Sequence, residues 1–444
     1  MARGDRAALS RPGGGRDAVE AVWRIESARI VATLSRFTGD FALAEDVAQE
    51  SLAEALVTWP RDGVPQNPAG WLLTVGRRRA IDTFRRRSAL DERYATLARD
   101  LGEGGGTPNG TGASADVDLL WDPDQIDDDV LSLMFIACHP VLSREAQVAL
   151  TLRVVGGLTS TEIARAFLVP TATMQARITR AKKTLAAARV PFAAPSPDER
   201  RARLSSVLSV LYLIFTEGST ATSGNDWIRP DLAREAVRLT RELAQLVPDE
   251  AEVHGLLALL ELTAARFPAR VRGDGAPVLL EDQDRRRWDR AAIRRGRAAL
   301  ATAGRVGQGL GPYGVQAAIA ECHAVAPSVE RTDWERIVLL YEALGQLAPS
   351  PVVELNRAVA LSMARGPAVA LPAVDRLVAD GSLDGSHLLP SVRGELLRRM
   401  GRLDEARREL ELAVRLCTNE SERGLLHDKL VTLVSGADRS RWSG

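Results

Sequence analysis

The stretch "LTSTEIARAFLVPTATMQARITRAKKTL", residues 158–185, places Thr173, Arg177, Arg180 and Thr184 at helical spacing, with Thr171, Lys182 and Lys183 beside them. A row of guanidinium groups suits phosphate oxygens and the paired acceptors on a guanine edge, and hydroxyls and ammonium groups suit the phosphates between. Met174, Ile178, Ala181 and Leu185 recur at i, i+4, i+7 and i+11, an apolar stripe that faces a core. Two short helices broken at Val169 and Pro170, the second with a cationic outer face, describe a helix-turn-helix. An amphipathic helix whose basic face is only solvated has the same pattern.

A second basic row lies upstream. "NPAGWLLTVGRRRAIDTFRRR" carries Arg77, Arg78, Arg79, Arg85, Arg86 and Arg87, with Asn67 as its cap and Pro68 in the first turn. Such a density of arginine exceeds what a helix needs for its own stability. It could steer and hold a polyanionic strand. Trp71 could stack against such a strand or belong to the core; the residues leave both open. Just before it, "DFALAEDVAQESLAEALVTW" puts Leu43, Val47, Leu52 and Leu56 inward, and Asp46, Gln49, Glu50 and Ala53 on one outward face. Those side chains offer carboxylate and amide partners to a basic surface, or are an ordinary solvated face. The helix before that one places Val22, Ile25, Ile30, Leu34 and Phe37 inward and stops at Gly39.

These elements belong to a chain of 444 residues, a length that suggests about three domains. Apolar residues make up 45% and aromatic ones 5%, with Ala, Leu and Val abundant, which favours helix over sheet and predicts an all-α fold. Lys plus Arg and Asp plus Glu both number 58, so there is no overall nucleic-acid signature. The asymmetry is local: residues 91–129 hold eleven acids against two bases, and residues 151–190 hold seven bases against one acid.

Catalysis and cofactor binding find little support. Cys138, Cys322 and Cys417 form no metal-binding spacing, which points to a reduced, cytoplasmic protein without structural metal. Cys138 and His139 read as packing. The Gly run near residue 105 lacks the ending of a phosphate loop, and the Asp cluster near 127 lacks the Gly and Glu of a calcium loop. No nucleophile stands with a base and an orienting acid. No signal segment or membrane span is expected. Glu217, Asp282 and Asp284 receive no chemistry.

Beyond residue 200 the chain reads as successive helices. "VVELNRAVALSMARGPAVALPAVDRL" and "SVRGELLRRMGRLDEARRELELAVRL" resemble each other at an offset of about 35 residues, near the tetratricopeptide period, with turns at Gly366 and Gly401. Stacked helix pairs leave a groove that could receive another protein.

Taken in order, these segments resemble an extracytoplasmic-function sigma factor of the sigma-70 family, in the subgroup with a C-terminal tetratricopeptide-like extension. "FIACHPVLSREAQVALTLRVVGGLT", "VLYLIFTEG", "LLEDQDRRRWDR" and "PSPVVELNRAVA" extend the resemblance along the chain. It implies a disordered N-terminus over 1–16, region 2 over 17–90, an acidic flexible linker over 91–129, region 4 over 130–190 and a helical domain over 200–437. It further implies that Asp46, Gln49, Glu50 and Ala53 dock on the beta-prime clamp helices of core RNA polymerase. Asn67, Trp71 and the six arginines from Arg77 to Arg87 would meet the opened −10 strand. Thr171, Thr173, Arg177, Arg180, Lys182 and Lys183 would meet the −35 duplex, with region 4 also touching the beta flap. The C-terminal domain would tune activity in place of a membrane anti-sigma factor.

Two other function classes remain from the residues alone: a repeat-domain scaffold, and a helix-turn-helix regulator that binds DNA without polymerase. A docking face and a −10-like helix are needed by neither. The linker acids Asp127, Asp128 and Asp129 are expected to compete with DNA for the basic face of residues 171–184 at low salt.

Overall fold

The computed structural model describes residues 14–88, 123–167, 169–188, 190–192, 197–219, 230–272 and 278–441, with the side chains of residues 14–15, 87–88, 123–128, 197–202, 421 and 434–441 set apart. The described residues are helical and contain no strand. The chain divides into two compact units, residues 1–211 and 212–444.

In the first unit, α1 (Gly14–Thr38), α2 (Phe41–Asp62) and α3 (Pro68–Ser88) pack on one another, and α4 (Pro123–Ala137), α5 (Arg144–Val154), α6 (Ser160–Ala166) and α7 (Thr171–Ala187) come next. The turn at Gly39 has φ of 63°, a conformation that costs glycine little, and Asp40 then caps α2 by accepting from the amides of Ala42 and Leu43 at 2.9 and 3.1 Å. Of the positions read as inward, Ile30, Leu34, Leu43 and Val47 are buried and Val22 and Phe37 half-buried, but Ile25 is 71% exposed, because Val19 and Trp23 hold the buried positions of that turn. In α2 the small residues Ala44, Ala48, Ser51 and Ala55 are fully buried and let helices approach, with Trp59 filling the end of that row, while Leu52 and Leu56 are half-buried at its flank.

The acidic segment differs from its reading as a linker. Helix α4 starts at Pro123, so Asp127 to Asp129 are helical, and the buried Asp129 carboxylate lies 3.1 Å from Arg36 of α1. Pairing with a cation and the apolar run after it, Val130 to Ala137, pull Asp129 into the fold. At the other end, Gly14 to Arg16 belong to α1 rather than to a disordered arm. The rest of the expected linker, residues 91–122, lies outside the described residues, as do residues 1–13.

The helix-turn-helix is built by local rules. Thr159 and Glu162 form a reciprocal capping box on α6: the Glu162 amide donates to Thr159 Oγ1 at 3.1 Å, and the Thr159 amide donates to Glu162 Oε2 at 2.8 Å. Phe167 is half-buried at the turn, and Met174, Ile178, Ala181 and Leu185 of α7 are all buried.

Helix α8 (Pro197–Ser219) contains the division between the units. The second unit continues with α9 (Pro230–Leu246), α10 (Ala251–Ala264), α11 (Phe267–Arg270), α12 (Arg290–Val306), α13 (Pro312–Val325), α14 (Trp334–Leu347), α15 (Pro351–Arg365), α16 (Pro367–Ala379), α17 (Leu388–Arg399), α18 (Leu403–Leu416) and α19 (Glu420–Arg441). Helix α10 packs against α12 and α13. Its buried Glu261 accepts from Arg241 of α9 and from Arg295 of α12, the latter at 2.9 and 3.0 Å, so one carboxylate ties three helices. The segment "LLEDQDRRRWDR" is structural: Arg285 Nη1 donates to the carbonyls of His323 and Ala326 at 2.6 and 2.7 Å, closing the end of α13, and its guanidinium lies 4.5 Å from the centre of the buried Trp288 ring. Asp284 caps the short turn over 285–287 and pairs with Arg286. Further on, α15 with α16 and α17 with α18 form two helical hairpins whose turns contain Gly366 and Gly401, at φ of 94° and 78°.

Two substitutions test this packing. Thr159→Ala removes one partner of the capping box and should destabilise the N-terminal turn of α6 by about 1 kcal/mol, read as faster native-state hydrogen exchange at the Glu162 amide. A Cβ on Gly218 would sit 2.4 Å from the Ala233 amide nitrogen, so Gly218→Ala must push α9 away. The expected cost is about 1–3 kcal/mol, measured as a lower denaturation midpoint of the second unit.

Candidate nucleic-acid and protein interface

Helix α2 presents Asp46, Glu50 and Ala53 to solvent, with Gln49 half-buried and Val57 extending the same row at 60% exposure. The face is therefore acidic and amide-bearing at one end and apolar at the other. Glu54, which the sequence pattern did not single out, stands beside it and collects Arg78 at 3.1 Å and Arg79 at 2.8 Å, with Glu50 3.9 Å from Arg79. The signal was available in principle, since Glu54 lies four residues from Glu50 on the same helix. Its partners on α3 are fixed only by packing.

The arginines of α3 divide accordingly. Arg77 lies over the Phe37 ring at 5.0 Å, and Arg78 and Arg79 are drawn to α2. Arg85 and Arg86 are exposed, the latter donating to the Asp82 carbonyl at 3.3 Å, and the Arg87 side chain lies outside the described residues. Asn67 caps α3, accepting from the Gly70 amide at 2.9 Å. Trp71 is half-buried and meets the buried Trp59 edge-on, ring centres 5.6 Å apart, so its indole is held against the core with one part exposed.

On α7, Thr173, Arg180 and Lys183 are exposed and Thr171, Arg177 and Thr184 half-buried. Arg177, Arg180 and Thr184 line an open groove of about 450 Å³ against Val141, Ser143 and Glu145 at the start of α5. The Ser143 hydroxyl and backbone at that helix start, with Arg177 nearby, hold the Glu145 carboxyl below its usual range. One wall of the groove thus carries two guanidinium groups that can meet phosphate oxygens, and the other carries the Glu145 carboxylate.

Lys182 is the exception to the expected arrangement. Counting 100° per residue sets it about 200° from Arg180 around the helix, and its ammonium lies 2.7 Å from Glu45 and 2.6 Å from Asp46 of α2. It is thus turned away from the groove and bound to carboxylates, because a buried acid on α2 attracts it more strongly than solvent would. Glu45, missed by the sequence reading because it sits among apolar neighbours, is 3% exposed and also receives Arg153 Nε at 3.3 Å.

The three cysteines are free and buried. Burial pushes the Cys138 thiol up to about 12, so it is an inert core group beside Thr151. Folding brings His387, Cys417 and Glu422 together with donor atoms within 4.8 Å of one another, a proximity that sequence spacing does not show. Within this trio His387 Nε2 lies 3.1 Å from Glu422 Oε1. Among the described residues no helix is long and apolar enough to cross a membrane.

Comparison with known proteins places these elements. Residues 24–89 match the model of sigma-70 region 2, and residues 132–185 match that of sigma-70 region 4. Residues 203–304 match a family of unknown function, DUF6596. An uncharacterized protein of Rhizobium meliloti (strain 1021) is 43% identical over 417 residues, spanning 91% of this chain and 93% of that protein. Region 2 and region 4, in that order along one chain, identify it as a member of the sigma-70 family.

Proposed function

We propose that the chain is an alternative sigma factor of the extracytoplasmic-function type, which recruits core RNA polymerase to promoters and leaves the chemistry of RNA synthesis to the polymerase. The observation that carries this reading is the combination, in one folded unit, of an open acidic and amide face on α2 with an arginine-rich helix and a helix-turn-helix. Gln49, Glu50 and Ala53, with Asp46 at the edge, form the docking face for the beta-prime clamp helices. Arg85 and Arg86, with Asn67 and Trp71 near the preceding loop, serve the opened −10 strand. Thr171, Thr173, Arg177, Arg180 and Lys183 serve the −35 duplex, where an arginine can bridge a guanine edge and the hydroxyls fix the backbone. Lys182 has no place in that set. The hairpins α15 to α18 supply a tetratricopeptide-like platform that tunes the sigma modules and offers a groove to a protein partner.

The charge distribution supports a division of labour. Duplex binding through a few cations falls steeply with salt, whereas docking through a face that ends in Ala53 and Val57 keeps an apolar component. Reading and recruitment should separate by ionic strength.

Two measurements test the reading. Ala53→Arg places a bulky cation in the middle of an exposed face without removing any contact within the chain. It should lower retention of the full-length protein by purified core RNA polymerase at least about tenfold, since like-charge or steric mismatch in an interface costs several kcal/mol. Equal retention of both chains would remove docking through α2, and no retention of wild type would remove the sigma reading. Arg180→Ala should weaken binding to DNA from the chain's own upstream region by about 1–3 kcal/mol, with a smaller salt slope in anisotropy titrations.

A further inference from the structure

The docking face on α2 and the recognition helix α7 are not independent. Glu45 and Asp46 are consecutive: the first is buried, and the second is the exposed residue that begins the docking row. Both carboxylates receive the same ammonium, that of Lys182, 136 residues or more away in sequence. The Lys182 side chain keeps only 15% of its exposure, although lysine almost never gives up its hydration without compensation. Two carboxylates supply it. Burial pulls the Lys182 pKa down, but Glu45 and Asp46 outweigh it and raise it, so the group is a cation throughout the physiological range. Arg153 of α5 completes the cluster on the other oxygen of Glu45 and is itself anchored to the Leu158 carbonyl at 3.1 Å.

The rest of the boundary between α1–α3 and α4–α7 is of two kinds. Helix α4 packs broadly on α1, and Gly157, at φ of 69°, lies so close that a Cβ there would meet Ser27 Oγ at 2.4 Å. By contrast α7 meets α2 narrowly, and the ion cluster is the polar centre of that meeting. Arg24 and Glu162 form a peripheral pair, 64% and 40% exposed, of the kind that contributes little. The tie between α7 and α2 is therefore local and can open without separating α4 from α1.

We infer that α7 is a self-inhibitory latch on the docking face: Lys182 occupies Asp46 and Glu45 in the free chain, and core RNA polymerase must displace it to engage the start of the row. The inference rests on the sigma-factor reading and adds its regulation. It names a single occupant, the chain's own Lys182, chosen by charge complementarity and by continuity of Asp46 with Gln49, Glu50 and Ala53. The latch acts on recruitment rather than on reading, because Arg177 and Arg180 face the groove on the other side of α7 while Lys182 is bound. A cation on the polymerase then replaces one within the chain, so the cost of docking is the loss of the two Lys182 contacts, to Glu45 and Asp46.

Full-length protein tests this in two ways. Lys182→Gln should tighten binding to core RNA polymerase at least about fivefold, the lower end of usual coupling between sites, and Lys182→Arg should bind as wild type does. Lysines in this chain number three, Lys182, Lys183 and Lys429, so amine acylation read by mass spectrometry resolves each one. In the free chain Lys182 should react far more slowly than the exposed Lys183, and addition of core polymerase should raise its rate. Core binding that is unchanged or weaker in Lys182→Gln, with wild-type binding intact, overturns the latch alone. So does a Lys182 that reacts as fast as Lys183 in the free chain. Failure of every chain to bind core overturns the sigma reading and the latch with it.

Discussion

A carboxylate buried in a helical bundle cannot stay charged alone, and Glu45 meets that constraint by drawing in two cations from other helices. Only 3% of the residue is exposed, and its two oxygens are divided between Arg153 of α5 and Lys182 of α7. Ion pairs of this kind add little net stability when compared with apolar packing, since desolvation offsets most of the attraction. Their contribution is position. A buried acid accepts cations only where their hydrogen-bond geometry is good, so Glu45 fixes where Lys182 of α7 and Arg153 of α5 meet α2.

Arginine use obeys the same logic across both units. In α3, cations that the sequence presents as one row divide into those held by Phe37 and Glu54 and those exposed at the helix end. In the second unit Arg241 and Arg295 neutralise Glu261, Arg285 closes the end of α13, and Arg393 joins Asp375 to Glu409. The chain's acids and bases are equal in number, and these pairs and caps place many of its cations in structural roles.

Close backbone approach is the other recurring device. Gly255 lies against Gly314 so that a Cβ would meet the Gly314 amide at 2.7 Å, and Gly218 stands against Ala233. Helices that touch through glycine and alanine gain contact without long side chains, which suits a chain with only 5% aromatic residues. The segment that matches a family of unknown function is held in this manner, and its basic motif is explained by helix ends and an indole ring rather than by catalysis.

By itself the sequence determined the all-helical class, the order of region 2 and region 4, and the buried stripe from Met174 to Leu185, because helical periodicity, caps and turns are local and are written in neighbouring residues. Locality also explains where that reading went astray. Ile25 fits an apolar spacing, but Val19 and Trp23 occupy the inner positions, a choice made by the partner helices. The run Asp127 to Asp129 has the composition of a linker, yet Arg36 on α1 draws Asp129 into the fold. Lys182 sits among basic residues and shares their apparent purpose, and only the packing of α7 on α2 turns its ammonium to Glu45 and Asp46. The tertiary structure decided these partners, because an ion pair depends on a distance in space, and residues 136 apart carry no local mark of one another.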